Sequence, residues 1–129
     1  MDFVYEEVLD LWVAECELWG KRVDVRLYCQ DDDDFAALAT KVLSDIETHR
    51  AQLEFALIDK LLPMCAAHRE QQITADELLS RLILAAVDFD TIDIMYTLIW
   101  SDSGLFGGHA IILNWDPEAD FKAEVSIAG

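Results

Sequence analysis

The chain has 129 residues, of which 53% are hydrophobic, so it is long enough to form one domain with its own core and is not disordered. Its 26 Asp and Glu residues against nine Lys and Arg residues give a net charge of −17. This charge disfavours nucleic acid or an anionic membrane as a ligand, and it either attracts a basic partner or serves solubility alone.

The N-terminal segment predicts two strands. Residues 9–18 mix apolar and acidic residues with a period near two, and "WGKR" then interrupts the pattern. In "RVDVRLYC" one face carries Val23, Val25, Leu27 and Cys29, while the polar residues alternate with them. We therefore expect an N-terminal β-hairpin that turns at Gly20–Lys21.

A helical pattern follows the acidic run "QDDDDF". Apolar residues recur at three- and four-residue steps and predict one long helix from about Phe35 to Leu62. One aspartate of the run is expected to cap this helix while the others favour the positive end of its dipole. A calcium loop would need alternating ligands, a central Gly and a distal Glu, which the run lacks. Pro63 is expected to kink or break the helix, and "MCAAHREQQ" to continue it as a second piece.

The C-terminal half begins with a short helix. Thr74 and Glu77 form a capping box, with Ile73 and Leu78 at the staple positions. The run "LILAAVDFD" then predicts a central strand, and later apolar segments separated by turns predict an antiparallel meander of about four strands. Strands and helices in separate blocks indicate a single α+β domain, residues 1–129, with the helices on one face of the sheet.

Location is expected to be cytoplasmic. The segment "MDFVYEEVLD" carries acids where a secretory leader carries bases, and no apolar run approaches the ~20 residues that span a bilayer. The three cysteines, Cys16, Cys29 and Cys65, lack CxxC spacing and are expected to be reduced thiols rather than metal ligands.

The segment "LFGGHAI" suggests either chemistry or a turn. His109 has a side chain able to act as acid, base or ligand, but no GxSxG, HExxH or CxxC motif surrounds it. Gly107 and Gly108 can adopt positive φ and turn the chain into the next strand. We expect this histidine to fix the turn through a backbone or carboxylate partner, with a binding or catalytic role as the alternatives.

Two further acidic clusters lie in predicted connections between strands, where turn solvation, metal binding or acid–base chemistry are all open. Their surface also suits a basic protein partner, with Trp100 as an aromatic anchor if it is exposed rather than buried. The candidate acids are Asp88, Asp90, Asp93, Asp116, Glu118 and Asp120.

The runs "GKRVDVRLY", "ITADELLSRLIL", "GLFGGHAIILNW" and "FKAEVSIAG" resemble, in order, a family of bacterial domains of unknown function. Gly108 and His109 match the family's glycine–histidine pair, and Ile127, Ala128 and Gly129 match its closing tail. The segment before "LFGGHAI" is less glycine-rich and more acidic than in that family. Some acidic members resemble immunity proteins of polymorphic toxins, so the resemblance implies a bacterial α+β protein of that kind.

The sequence therefore predicts a binding protein rather than an enzyme. It is expected to neutralise a cognate toxin, basic and nuclease-like, by covering the toxin's active site with an acidic surface, without cofactor, metal, nucleic acid or membrane. One alternative is a metal-dependent or hydrolytic enzyme that uses His109 and nearby carboxylates. Another is a housekeeping protein-interaction module. The sequence leaves the oligomeric state and the toxin's identity open.

Overall fold

The alternating and helical patterns fold into a seven-stranded sheet and three helices. The computed structural model describes residues 3–29, 34–69, 73–92, 94–116 and 122–128, and of residues 66–69 it describes the backbone alone. The elements in chain order are β1 Val4–Glu6, β2 Leu11–Leu18, β3 Lys21–Tyr28, α1 Phe35–Thr48, α2 Arg50–Arg69, α3 Ala75–Arg81, β4 Ile83–Asp90, β5 Met95–Ser101, β6 Ala110–Trp115 and β7 Ala123–Ala128.

The strands lie in the sheet in the order of the sequence, β1 to β7. Five of the six strand pairs are antiparallel, and β3 and β4 run parallel, with Tyr28 opposite Asp90. Parallel neighbours need a crossover connection, and the three helices supply it. The predicted α+β fold, the central position of β4 and the four-strand meander β4–β7 are therefore confirmed. β1 was not predicted, so the N-terminal hairpin is one part of a three-strand unit.

One face of the sheet carries the core. Val23, Val25 and Leu27 of β3 are buried against the helices, together with the alternate residues of β4, β5 and β6. The opposite face is open and carries charged side chains such as Glu15 and Asp24. The strict alternation of β3, which the sequence showed, thus separates a helix-covered face from an exposed one.

Helix α1 and its cap residue contact strands of both halves of the sheet. At its start, Phe35 packs on Trp12 of β2, with 4.7 Å between ring centroids. At its end, His49 packs on Trp115 of β6, with 4.8 Å between centroids. One helix therefore holds the two halves of the sheet together through aromatic contacts at both of its ends.

A polar link joins the middle of α1 to β5. The buried Tyr96 hydroxyl donates a hydrogen bond of 2.6 Å to Asp45, and Lys41 Nζ lies 2.8 Å from the same carboxylate oxygen. Burial raises the pKa of Asp45, but the hydrogen bonds from Lys41 and Tyr96 outweigh it and hold this pKa below its usual range. Burial of the Tyr96 hydroxyl and the neighbouring Asp45 carboxylate both raise the pKa of Tyr96.

The sequence predicts one helix over residues 35–62 with a kink or break at Pro63. The structure instead has two helices, and the break between them lies near residue 49. α1 ends at Thr48, and His49 caps it, with Nδ1 2.9 Å from the Asp45 carbonyl oxygen. Pro63 instead lies exposed inside α2. A proline there removes one backbone hydrogen bond, to the carbonyl of Asp59, and the rest of the helix continues around it.

The predicted helix starts are confirmed. Asp34 precedes α1, and its side chain accepts a hydrogen bond of 3.1 Å from the backbone N–H of Ala37. The Thr74 side chain accepts one of the same length from the backbone N–H of Glu77 at the start of α3. Among the described residues, no helix is long and apolar enough to cross a membrane.

We predict that Tyr96→Phe lowers the free energy of unfolding by about 1–2 kcal/mol, because it removes a hydrogen bond to a partly buried carboxylate and leaves the ring in place. Urea denaturation followed by circular dichroism measures this. Tyr28→Phe is the matched control, since Tyr28 is half-buried on the open face and its hydroxyl has no hydrogen bond within the described ranges. Equal effects of the two substitutions would refute a stabilising role for the Tyr96–Asp45 link.

Candidate functional site

The strand register brings four connections to one end of the sheet. The same end of the sheet contains four strand pairings that fix the positions of these connections. They are Glu6–Leu11, Trp12–Leu27, Tyr28–Asp90 and Tyr96–Trp115. The connections are residues 7–10, 29–34, 91–94 and 116–122. We call this end, with Asp90 at the last position of β4, the acidic end.

The acidic end carries far more acids than bases. Its described charged residues are Glu7, Asp10, Asp34, Asp90, Asp116 and the single base Lys122. The sequence of the same connections contains six more acids and no base at positions outside the described residues, which are Asp31, Asp32, Asp33, Asp93, Glu118 and Asp120. In the sequence, these connections together with Asp90 therefore hold 11 of the 26 acids and one of the nine bases.

Exposed apolar side chains accompany the acids. In the β1–β2 turn, Val8 is 89% exposed and Leu9 is 49% exposed, and in the β4–β5 turn Ile92 is 77% exposed. Single exposed apolar residues are ordinary on protein surfaces, but here three occur at one end of the sheet. An acidic surface with apolar side chains within it is suited to contact a protein.

Hydrogen bonds hold the two apolar turns in place. Asp90 accepts a 2.8 Å hydrogen bond from the backbone N–H of Ile92, and both the backbone N–H and the hydroxyl of Thr91 donate to the Tyr28 carbonyl oxygen. The β4–β5 turn is thereby attached to β3. The Tyr5 hydroxyl donates to Asp10 across the β1–β2 turn. These bonds present the apolar side chains from supported turns.

Each turn also contains a residue with left-handed backbone conformation. Asp10 has φ of 54° and Ile94 has φ of 52°. Aspartate tolerates this region, but a β-branched isoleucine does so at a cost of about 1–3 kcal/mol. The contacts around the β4–β5 turn must offset that cost, and strain of this kind is concentrated at functional sites.

The structure separates the predicted acids into groups. Asp90 and Asp116 lie at the acidic end, while Asp93, Glu118 and Asp120 lie outside the described residues. Asp88 lies on the open face and pairs with Arg26 of the neighbouring strand through two bonds, of 2.5 and 2.9 Å. Burial raises the pKa of Asp88 despite the opposing effect of Arg26. Asp88 therefore serves the β3–β4 pairing and is not available as a free surface charge.

Trp100 is not an exposed anchor. Its side chain points to the helix-covered face of β5, is 4% exposed and belongs to the core. The alternation of β5 buries Tyr96, Leu98 and Trp100 on that face, which is the physical reason for the correction. Strand period alone does not identify the covered face, so the burial of Trp100 could not be predicted from it.

The "SDSGLFGGH" loop is organised by a buried carboxylate, Asp102. This side chain is 1% exposed and accepts hydrogen bonds from the backbone N–H groups of Gly104, Phe106 and His109, at 2.9, 2.9 and 3.0 Å. Burial raises the pKa of Asp102, but the backbone donors, Gly108 among them, outweigh it and hold this pKa below its usual value.

His109 contributes its backbone to this turn. It is half-buried, its N–H binds Asp102, and its imidazole makes no hydrogen bond within the described ranges. Gly107 and Gly108 have φ of 88° and 87°, which gives glycine a direct reason to occupy both positions. The turn is thus fixed through the Asp102 carboxylate rather than through the histidine ring. No group of three His, Cys, Asp or Glu residues able to hold a metal occurs in the described part of the chain.

The sequence relates this chain to a known bacterial family. Residues 1–125 match the model of a family described as uncharacterized proteins conserved in bacteria, DUF2262. The chain belongs to the DUF2262 family. No curated protein and no solved structure matches it. The predicted kinship with a bacterial family of unknown function is confirmed at this level, and membership extends over both the sheet and the helices of the DUF2262 chain.

Sequence reasoning missed the apolar part of the acidic end and the central residue of the glycine-rich loop. Val8, Leu9 and Ile92 interrupt polar turns, which is a signal that could have been used. Asp102 precedes Ser103–Gly104, a pattern typical of an Asp that binds backbone N–H groups two residues on. Its burial and its further bonds to residues 106 and 109 depend on the folded loop and leave no local sequence signature.

We predict that Asp102→Asn lowers the free energy of unfolding at pH 7 by about 2 kcal/mol, because several part-buried backbone N–H groups lose a charged acceptor. Asp59→Asn, an exposed acid on α2, is the control and should change it by less than about 0.5 kcal/mol.

The destabilisation caused by Asp102→Asn should depend on pH. The folded-state pKa of Asp102 is depressed, so its contribution is complete above the unfolded value of about 3.9 and is lost as pH falls through the lower folded value. The difference in urea midpoint between wild type and Asp102→Asn should stay constant from pH 8 to about pH 5 and shrink below about pH 4. A difference that grows in acid would contradict this assignment.

Proposed function

We propose that the chain is an immunity-type binding protein that neutralises a cognate bacterial toxin. The acidic end covers the active site of the toxin, which is basic and nuclease-like. The observation that supports this proposal is that one end of the sheet combines the acid-rich connections with the exposed apolar residues Val8, Leu9 and Ile92.

Charge accounts for the choice of partner. A net charge of −17 attracts a basic protein and repels the nucleic acid on which a nuclease acts. Carboxylates spaced across several turns are suited to pair with the Lys and Arg residues that would otherwise bind phosphates. Such complementarity increases the rate of association and selects against wrong partners more than it adds affinity.

The exposed apolar side chains account for the stability of the complex. Interface energy is concentrated in a few apolar or aromatic residues near the centre, surrounded by polar contacts that exclude water. Val8, Leu9 and Ile92 are exposed in the free protein and lie among the acids of the acidic end. Their burial in a complex would supply the central contact, while the carboxylates would form its rim.

The direct test is co-expression with the product of the neighbouring gene. We expect that product to stop bacterial growth on its own and this chain to restore growth and to co-purify with it. If the neighbour is harmless but still binds, the acidic end serves an interaction module without a toxin. If the neighbour neither binds nor inhibits growth, the proposal fails for that partner, and pull-down with other basic toxin domains of the same genome decides the general case.

The apolar residues give a sharper prediction. Ile92→Ser should weaken binding of the partner at least about tenfold, because it removes a central contact, and it should leave the melting temperature unchanged. Phe55→Ser is the matched control: Phe55 is also exposed, at 67%, but lies on α2. Isothermal titration calorimetry measures both. A larger loss with Phe55→Ser would place the interface on α2 and contradict the proposal.

The acids should act mainly on association. Asp10→Asn and Asp90→Asn together should lower the association rate constant and flatten its dependence on salt, with little change in dissociation. Asp59→Asn with Asp76→Asn removes the same charge from the helices and is the control. Stopped-flow measurements between 25 mM and 500 mM salt distinguish a local effect of the acidic end from an effect of net charge alone.

A further inference from the structure

The β2–β3 hairpin turns through a strained tryptophan. Trp19 and Gly20 form a two-residue loop between the paired residues Leu18 and Lys21, with φ of 54° and 75°. Two positive φ values define the type I′ turn, whose first position favours Asn or Gly. A bulky aromatic residue there is a steric outlier. Asn or Gly would therefore form the same turn with less steric strain than Trp19 does.

The indole of Trp19 is fixed against the helices. Its ring N–H donates a 2.7 Å hydrogen bond to the Glu47 carboxylate at the end of α1. The Arg50 guanidinium lies 4.5 Å from the ring centroid, within the range of a cation–π contact. Arg50 is in turn held by Glu54, at 3.3 Å. These contacts orient the ring plane, and they connect the hairpin to the junction of α1 and α2.

A small cavity of about 180 Å³ lies beside this indole. Its lining combines apolar and polar side chains. The apolar lining residues are Leu18, Leu57, Leu79, Leu82, Leu84 and Trp100, and the polar ones are Lys21, Arg50, Glu54 and Ser80. For comparison, an apolar cavity of about 150 Å³ in another protein binds benzene. The volume thus suits a single aromatic ring or a branched aliphatic group.

The polar lining of the cavity includes two bases, Lys21 and Arg50, and one acid, Glu54. A second acid, Glu47, binds the Trp19 indole beside it. Lys21 is exposed and forms no ion pair in the part of the chain that the structure describes. Arg50 keeps its Glu54 partner. An exposed lysine in the lining of a mainly apolar cavity is a ready partner for an anionic group on a ligand whose body is apolar.

We propose that this cavity binds a small monocarboxylic acid with an aromatic or branched aliphatic body. The body fills the space between Trp19 and the leucines, and the carboxylate meets Lys21, with Arg50 beside it. This site is separate from the acidic end, because the hairpin turn lies at the opposite end of β2 and β3 from residues 7–10 and 29–34. It does not depend on the proposed interaction with a toxin.

Benzoate is the probe that tests the proposal, followed by two-dimensional amide NMR on the full chain. We expect saturable shifts confined to Trp19–Lys21, the start of α2 and residues 79–84, with a dissociation constant of roughly 1 mM or tighter for nine non-hydrogen atoms. Benzamide, of the same shape without charge, should bind at least about threefold more weakly, and benzylamine, of opposite charge, should bind more weakly still. Absence of saturable shifts, or equal binding of all three, would overturn the proposal.

Three variants separate binding from folding. Lys21→Gln should weaken benzoate binding about two- to fivefold and leave benzamide unaffected, whereas Lys60→Gln should change neither. Trp19→Asn, the residue that the turn favours, should preserve the fold and abolish binding. Ser80→Phe should fill part of the cavity and prevent binding. Each variant's amide spectrum shows whether it is folded. Undiminished binding by folded Trp19→Asn or Ser80→Phe would refute the site.

Discussion

The parallel pairing of β3 with β4 determines how the rest of the chain is arranged. Every other strand pair is antiparallel and can be joined by a turn, but this pair requires the chain to cross the sheet between Tyr28 and Ile83. The three helices make that crossing and cover one face. On the other face, the two-bond contact of Arg26 with Asp88 ties the same two strands together. Without the pairing of β3 with β4, the N-terminal strands β1–β3 would be separate from the meander β4–β7.

The pairing also decides which parts of the surface come together. It aligns the end of β3 with the end of β4, so the acid-rich connections of both halves leave the sheet at one end. The β2–β3 hairpin turn then lies at the other end, where the bases Lys21 and Arg50 and the acids Glu47 and Glu54 occur near Trp19. Acids thus outnumber bases at the acidic end but not beside this turn. We propose that the acidic end binds a large basic partner and that the cavity at the hairpin end binds a small anionic ligand.

Sequence reasoning was reliable where local chemistry decides the outcome. The alternation of β3, the aspartate before α1 and the Thr74–Glu77 capping box each depend on nearby residues, and each was predicted. It failed where distant contacts decide. The helix ends at His49, whose ring packs on the distant Trp115, and the burial of Trp100 depends on which face the helices cover. The acids at the candidate site were partly predicted, but the apolar residues among them become neighbours only through strand register.

Amide hydrogen exchange of the chain, with and without the product of the neighbouring gene, tests whether the acidic end is the binding surface. Bound partner is expected to slow exchange in residues 7–10 and 91–94 and to leave residues 19–21 and the exposed face of α2 unchanged. Slowed exchange confined to α2 or to the hairpin, with the acidic end unaffected in a complex that forms, would contradict it.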